Sequence, residues 1–223
     1  MKAAPGNYNR LARVYRALEY AAFGRDLERA RFTLLPALAD CRRILIIGEG
    51  DGRFLQRLLQ LNPLAQVDCV DLSPAMLDRA RARLGADAGR VTFQAADIRT
   101  AALPPDRYDA AVTCFVLDCF SAEDCAGVIA RLVPALQANA LWLWADFAVP
   151  AAGPTRWRAR AWLAVLYAFF RWETGLAVRA LPPAEALIEA AGFTPLADVT
   201  LQGGLLRSVL FTQSGADSPP ADY

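Results

Sequence analysis

From Arg43 onward the chain alternates short runs that have no polar face with stretches whose apolar positions recur every three or four residues. RILIIG lacks a polar face, which predicts a strand covered on both sides by helices. GRFLQRLLQL then predicts a helix, ended by Asn62-Pro63, and AQVDCVD a second strand. In SPAMLDRARARLG, Ser73 stands as helix cap with Pro74 at the first helical position. RVTFQAAD and YDAAVTCF predict the third and fourth strands, SAEDCAGVIARLVPAL a helix capped by Ser121, and ALWLWADFAV the fifth strand. Strands separated by helices predict a parallel, doubly wound α/β sheet, Rossmann-like, with helices on both faces.

The flanks differ. In YNRLARVYRALEYAAF, Leu11, Val14, Tyr15, Leu18 and Ala22 follow a helical period; Gly24 breaks it and DLERARFTLLPALA resumes it, so residues 8–40 read as a helical cover. Residues 150–176 form an insertion in which Pro150, Gly153 and Pro154 lead into the aromatic, arginine-flanked WRARAWLAVLYAFFRW. A short helix, PPAEALIEAAG, precedes FTPLADVTLQ and LLRSVLFTQ, whose Gly203-Gly204 joint reads as a hairpin turn. Residues 1–213 read as a single domain and SGADSPPADY, 214–223, as a disordered tail.

Composition narrows the chemistry. The 223 residues include no histidine, and Lys2 is the sole lysine among 24 basic side chains. Imidazole bases, histidine-bound metals and Schiff-base lysines in the core are thereby excluded. Balanced charge, 24 basic against 23 acidic, argues against a general nucleic-acid binder. Five cysteines without a C-x-x-C pair read as reduced structural thiols with no metal site. MKAAPGNYNR lacks a signal-peptide core, and the apolar stretch Ala161–Phe170 is too short to span a bilayer; a cytoplasmic chain is expected.

Candidate chemistry centres on IIGEGDGRF. A buried strand runs into three alternate glycines, Gly48, Gly50 and Gly52, and then into a helix N-terminus, a place where a ligand can approach backbone. A dinucleotide loop wants glycine where Arg53 stands, which disfavours a nucleotide-dependent oxidoreductase. Glu49 and Asp51 would repel a pyrophosphate and suit a cationic ligand instead. Asp71 closes the second strand 19 residues past Gly52, where a carboxylate can accept from both hydroxyls of a ribose. Asp97 ends the third strand beside Ile98.

These stretches in order (IGEGDG, VDLSPAML, AADI, YDAAVTCFVLDCF and the late EAAGF before a hairpin) resemble the class I S-adenosylmethionine-dependent methyltransferases over about residues 8–213. The resemblance implies a seven-stranded sheet whose last hairpin adds an antiparallel strand, and S-adenosylmethionine as cofactor. It puts the methionine end, amino and carboxylate groups alike, on the Gly48–Gly52 loop, the ribose on Asp71 with Leu72 beside it, and the adenine on Asp97 and Ile98. Cys114 and Phe115 would approach the sulfonium, which carboxylates and aromatic faces favour. YNRLARVYRALEY distantly resembles the Y-D-x-x-A-x-x-Y-D segment of methyltransferases related to quinone C-methylases, with Asn9 and Arg16 at the aspartate positions. That resemblance makes Tyr8 and Tyr15 candidate lid residues.

Methyl transfer needs alignment more than proton chemistry. An amine or thiol acceptor needs little from the protein; a hydroxyl or carbon acceptor wants a base, and Asp118 and Asp146 are the candidates. The insertion lies where this family builds its acceptor pocket, with Trp157, Trp162 and Phe169 as candidate contacts to a small apolar or aromatic molecule. Its arginines also allow a peripheral membrane contact or a dimer contact, so monomer and homodimer both stand. A protein that binds the cofactor without transferring methyl would carry the same motifs.

Overall fold

The computed structural model describes residues 25–150, Trp157 and 180–213. The stretch 8–23 expected to be helical, all but Trp157 of the aromatic run at 157–172 and the stretch 214–223 expected to be a tail lie outside them, as do Tyr8, Tyr15, Trp162 and Phe169. In chain order the elements are α1 (Asp26–Phe32), β1 (Arg43–Ile47), α2 (Arg53–Leu61), β2 (Gln66–Asp71), α3 (Pro74–Leu84), β3 (Val91–Ala95), β4 (Tyr108–Cys114), α4 (Ala122–Leu132), β5 (Leu136–Phe147), α5 (Ala184–Ala190), β6 (Phe193–Leu201) and β7 (Leu206–Gln213).

Seven strands form one sheet in the order β3-β2-β1-β4-β5-β7-β6. β1 to β5 pair in parallel, and β7 runs antiparallel to both β5 and β6. The sheet is therefore the Rossmann-like one expected, with the last hairpin bringing in the antiparallel strand. Alternation along β1 explains its uniform apolarity: Leu45 and Ile47 pack with α4 and α5, while Ile44 and Ile46 pack with α2 and α3. Under α4 and α5, the fully buried Trp142 donates its indole N–H to Thr113 Oγ1 at 2.9 Å and meets Phe193 edge-on at 5.3 Å.

Three local differences from expectation have proline or turn causes. Helical pattern continues through residues 26–39, but the α-helix stops at Phe32 and resumes as a 3-10 turn over Leu35–Leu38, because Pro36 has no N–H to give to an α-helical ladder. Pro134 likewise turns the end of α4 into a 3-10 turn over Val133–Ala135. β5 then starts at Leu136, four residues earlier than its apolar run, and a shift in register against β4 absorbs the polar Gln137 and Asn139. Among the described residues no helix is long and apolar enough to cross a membrane. All five cysteines are free, with Cys41, Cys69 and Cys125 buried.

α1 has a particular place. Its Leu27 and Ala30 bury against Phe147, Leu205 and Leu206, so the helix lies beside the ends of β5 and β7.

Candidate functional site

The three glycines after β1 all have left-handed backbone, with φ of +69° at Gly48, +73° at Gly50 and +88° at Gly52. Their reasons differ beyond that. A β-carbon on Gly48 would sit 2.6 Å from Val116 Cγ2, and one on Gly52 2.6 Å from Ala80 Cα. Those two let the loop pack against the turn after β4 and against α3. Gly50 faces open space, with nothing within 4 Å of such an atom. It is the glycine that leaves backbone approachable by a ligand.

Four carboxylates expected around this loop are brought to the carboxyl edge of the sheet, in four different states. Asp71 ties loop to strand: Oδ2 accepts the Gly50 N–H at 3.1 Å and Oδ1 the Ser73 N–H at 2.8 Å. Burial pushes its pKa up, and those two amides oppose the rise. Asp51 faces cations, with Arg83 Nη2 at 3.0 Å and Arg53 Nε at 3.3 Å. Asp97 is gripped by Arg99, whose Nε lies 3.0 and 3.1 Å from its two oxygens and whose Nη2 lies 2.6 Å from Oδ2. That bond holds Asp97 below the usual carboxylate range. Beside these strand ends Ile98 is buried in the core, while Leu72 is 66% exposed.

Glu49 is the unusual member. Its Oε1 accepts the Leu55 N–H at 3.1 Å, and its buried Oε2 has no hydrogen-bond partner among the described residues. Burial pushes its pKa up to about 8, against the Leu55 amide and the charge of Arg31. An orphaned carboxylate oxygen at the end of a buried strand is costly to keep, on the order of 1–3 kcal/mol, and a cation placed there would remove the cost.

Beyond β4 the chain turns sharply. Phe115 has φ +55°, donates its N–H to Ala145 O at 2.7 Å and meets Phe147 edge-on at 5.4 Å. Burial pushes the Cys114 thiol up to about 12, which keeps it neutral. Next along the chain lie Asp118 and Asp146, 7% and 1% exposed. Asp146 Oδ2 accepts the Asp118 N–H at 3.1 Å, and its Oδ1 accepts the Phe147 N–H at 2.9 Å. The exposed Cys119 places its sulfur 3.5 Å from Asp118 Oδ1. Burial raises both carboxyls, and the charge of Asp118 raises Asp146 further, so the pair favours holding one proton between two sites. A carboxyl pair in that state can take a proton from a neighbouring group. Of the aromatic candidates in the insertion, Trp157 is helical and 72% exposed.

Arg31 was not among the residues expected here. Its guanidinium lies 5.0 Å above the centre of the Phe115 ring, and it lines a small cavity with Gly48, Glu49, Phe54 and Cys114. The signal was present in α1: Arg31 follows Leu27 by four residues and Ala30 by one, which puts it beside the helix's apolar stripe.

Residues 44–139 match the model of a family described as a methyltransferase domain. The match runs from β1 into β5, so it takes in the glycine loop, Asp71, Asp97 and Asp118, and stops short of Asp146. No curated protein matches. Among solved structures, the N-methyltransferase NodS from Bradyrhizobium japonicum WM9, in complex with S-adenosyl-L-homocysteine, is 18% identical with a TM-score of 0.63, over 85% of this chain and 88% of that one. The 1,6-didemethyltoxoflavin-N1-methyltransferase of Burkholderia thailandensis, with bound 1,6-didemethyltoxoflavin and S-adenosylhomocysteine, is 20% identical with a TM-score of 0.61, over 96% and 92%. A family 2 O-methyltransferase from Planctomyces limnophilus DSM 3776, in complex with apigenin, is 20% identical with a TM-score of 0.60, over 78% and 51%. These likenesses are of fold, and the domain match covers the part of the chain that carries the glycine loop. Residues 44–139 match a methyltransferase domain, and the sheet that carries them has the fold of these S-adenosylhomocysteine-bound methyltransferases.

Proposed function

We propose that this enzyme methylates a small apolar or aromatic acceptor, and that its cofactor lies along the carboxyl ends of β1, β2 and β3. The observation that carries the acceptor reading is a juxtaposition: the buried pair Asp118–Asp146 follows directly on the aromatic pair Phe115–Phe147. An apolar floor beside a proton acceptor suits a flat molecule whose hydroxyl or ring nitrogen must lose a proton. The bound 1,6-didemethyltoxoflavin and apigenin of the two fold neighbours support the same class.

The residues present fit the cofactor. Glu49 offers an unpartnered buried oxygen to its ammonium, Gly50 leaves its path open, and Asp71 can share its oxygens between the loop amide and ribose hydroxyls. Leu72, Asp97 and Ile98 would flank the adenine; Cys114 and Phe115 would lie nearest the sulfonium. Bound there, the cofactor supplies a methyl group already activated for in-line displacement. The chain's own work is to align the acceptor against it, exclude water and receive the acceptor's proton on the Asp118–Asp146 pair. The same reading gives Tyr8, Tyr15, Trp157, Trp162 and Phe169 to the acceptor's cover.

Glu49 gives this reading a pH signature. Its carboxyl, raised to about 8, must ionise to take an ammonium, so binding releases a proton below that pH. Affinity for S-adenosylhomocysteine should therefore rise about tenfold per pH unit up to about 8, level off there, and fall only at higher pH as the ligand's α-ammonium loses its own proton. Calorimetry across pH 6–9 checks the bell, and Glu49→Gln should flatten its acid limb alone. A pKa raised by folding means stability lost as pH climbs from the ordinary glutamate range toward 8. Glu49→Gln should thus raise the Tm of the ligand-free chain at neutral pH, by roughly 2–6 °C.

The acceptor class is tested by supplying S-adenosylmethionine with a panel of phenols, ring N–H heterocycles, sugars and amino acids, and measuring methylated product. Turnover is expected with the flat aromatic members. Turnover confined to the polar members would overturn the acceptor reading. Tight cofactor binding with no product from any acceptor would favour a protein that uses the cofactor without transfer.

A further inference from the structure

Two tryptophans stand two residues apart on β5 and share the face under α4 and α5. Trp142 spends its indole N–H on Thr113 Oγ1 at 2.9 Å. Trp144 is 4% exposed, and its buried Nε1 has no hydrogen-bond partner among the described residues. An indole nitrogen only donates, so a buried one left unpaired calls for a reason. The next residue on that face is Asp146, itself buried. Its two oxygens each accept one backbone amide, from Asp118 and from Phe147, which leaves lone pairs for a further donor.

The other charged and titratable groups around Asp146 are committed elsewhere or neutral. Arg207 stands opposite it across the β5–β7 pair, and its guanidinium binds Asp198 of β6 and Glu185 of α5. Arg31, whose charge reaches Asp118, lies over the Phe115 ring. Burial raises the thiols of Cys114, Cys119 and Cys125 and keeps them neutral. Burial and then the charge of Asp118 raise Asp146, and Trp144 acts on it in the lowering direction.

We propose that Trp144 is a positioning residue for the carboxyl pair: its indole N–H turns onto Asp146 as that group gains charge, and so makes the pair a base at neutral pH. The proposal rests on the reading of Asp118–Asp146 as the place that receives the acceptor's proton. A donor stabilises a carboxylate far more than a neutral carboxyl. The indole therefore offsets part of the burial and repulsion without bringing in a cation. A cation in its place would pull the carboxyl down into the ordinary range and leave a weak base.

The test is a ¹³C NMR titration of the full, ligand-free chain labelled at its aspartate carboxyls, with Asp118→Asn and Asp146→Asn to assign the pair. In Trp144→Phe the pair's first ionisation should move up by about one pH unit, a roughly tenfold change in its acidity. β-(3-Benzothienyl)alanine at position 144 keeps the two-ring shape and puts sulfur in place of the N–H, which covers a phenylalanine variant that fails to fold. It should give the same shift, with Tm within a few degrees of wild type. Trp142→Phe, a change in the same layer, should leave the ionisation in place. An unmoved ionisation in the benzothienylalanine chain would overturn the proposal. So would an equal shift in Trp142→Phe, which would mark core packing as the cause. A wild-type pair that ionises entirely in the ordinary aspartate range would instead overturn the carboxyl-pair reading beneath it.

Discussion

Asp71→Ala is expected to weaken S-adenosylhomocysteine by about 10²–10³-fold while the fold survives. Two losses combine. The carboxylate that would accept the ribose hydroxyls goes, at about 1.5–3 kcal/mol per charge-assisted bond. The staple holding Gly50 goes with it, because Oδ2 no longer receives that amide at 3.1 Å. Stability should change little, since burial already disfavours the ionised form in the folded chain and alanine removes that penalty along with the bonds. Thermal melts should agree within a few degrees, which separates lost binding from lost structure. Asp71→Asn sharpens the result: an amide can still accept the Gly50 N–H, so it should retain loop geometry and lose mainly the hydroxyl contacts. Unchanged affinity in both variants would show that the ribose lies elsewhere.

Asp118→Asn and Asp146→Asn should each lower kcat by about 10²-fold or more on an acceptor that must lose a proton. S-adenosylhomocysteine affinity should move less than about threefold, because the proposed cofactor site includes neither carboxyl. Since the two share one proton, removing both should cost little more than removing one. The sign of the pH dependence follows from burial. Both carboxyls are raised, and a base works only when ionised, so kcat should climb with pH through the acid range and level off once the pair has released its first proton. That acid limb should disappear in either variant. A full limb in Asp118→Asn, measured over pH 5–8, would remove the pair from the mechanism.

How far the chain itself announced this site varies by residue. The polar-free RILII could only be a covered strand, and three alternate glycines followed by RFLQRLLQL could only be a turn into a helix. Their reasons were less visible: Gly48 and Gly52 answer to Val116 and Ala80, distant in sequence, and only Gly50 opens toward a ligand. The acidic loop read as one negative patch, whereas the fold gives Asp51 to Arg53 and Arg83 and leaves Glu49 with an oxygen unpartnered. Asp118 and Asp146 are 28 residues apart and meet because β4 and β5 pair with Cys114 opposite Ala145, a register that tertiary packing sets. Asp97 and Arg99 stand two residues apart, so their bond was readable locally and still changed the picture, since Arg99 engages both oxygens of the expected adenine contact. Arg31 carried a weak signal, a charge beside an apolar stripe on a seven-residue helix, and became meaningful only once α1 was placed beside Phe115 and Phe147.

The absence of histidine and of any lysine past Lys2 takes a definite form at this site. The carboxylates at the carboxyl edge described above are its proton-accepting groups, and burial raises three of those states: Asp71 between its two amides, Glu49 beside the cavity, and Asp118 with Asp146 as a pair. Asp97, held low by Arg99, stays charged throughout.

The most direct test of the central claim is titration calorimetry of the wild-type chain with S-adenosylhomocysteine and, separately, with NAD. One-to-one binding of S-adenosylhomocysteine, strongest near pH 8 and largely lost in Asp71→Ala, with no heat from NAD, is the predicted result. Binding of NAD with none of S-adenosylhomocysteine would contradict it.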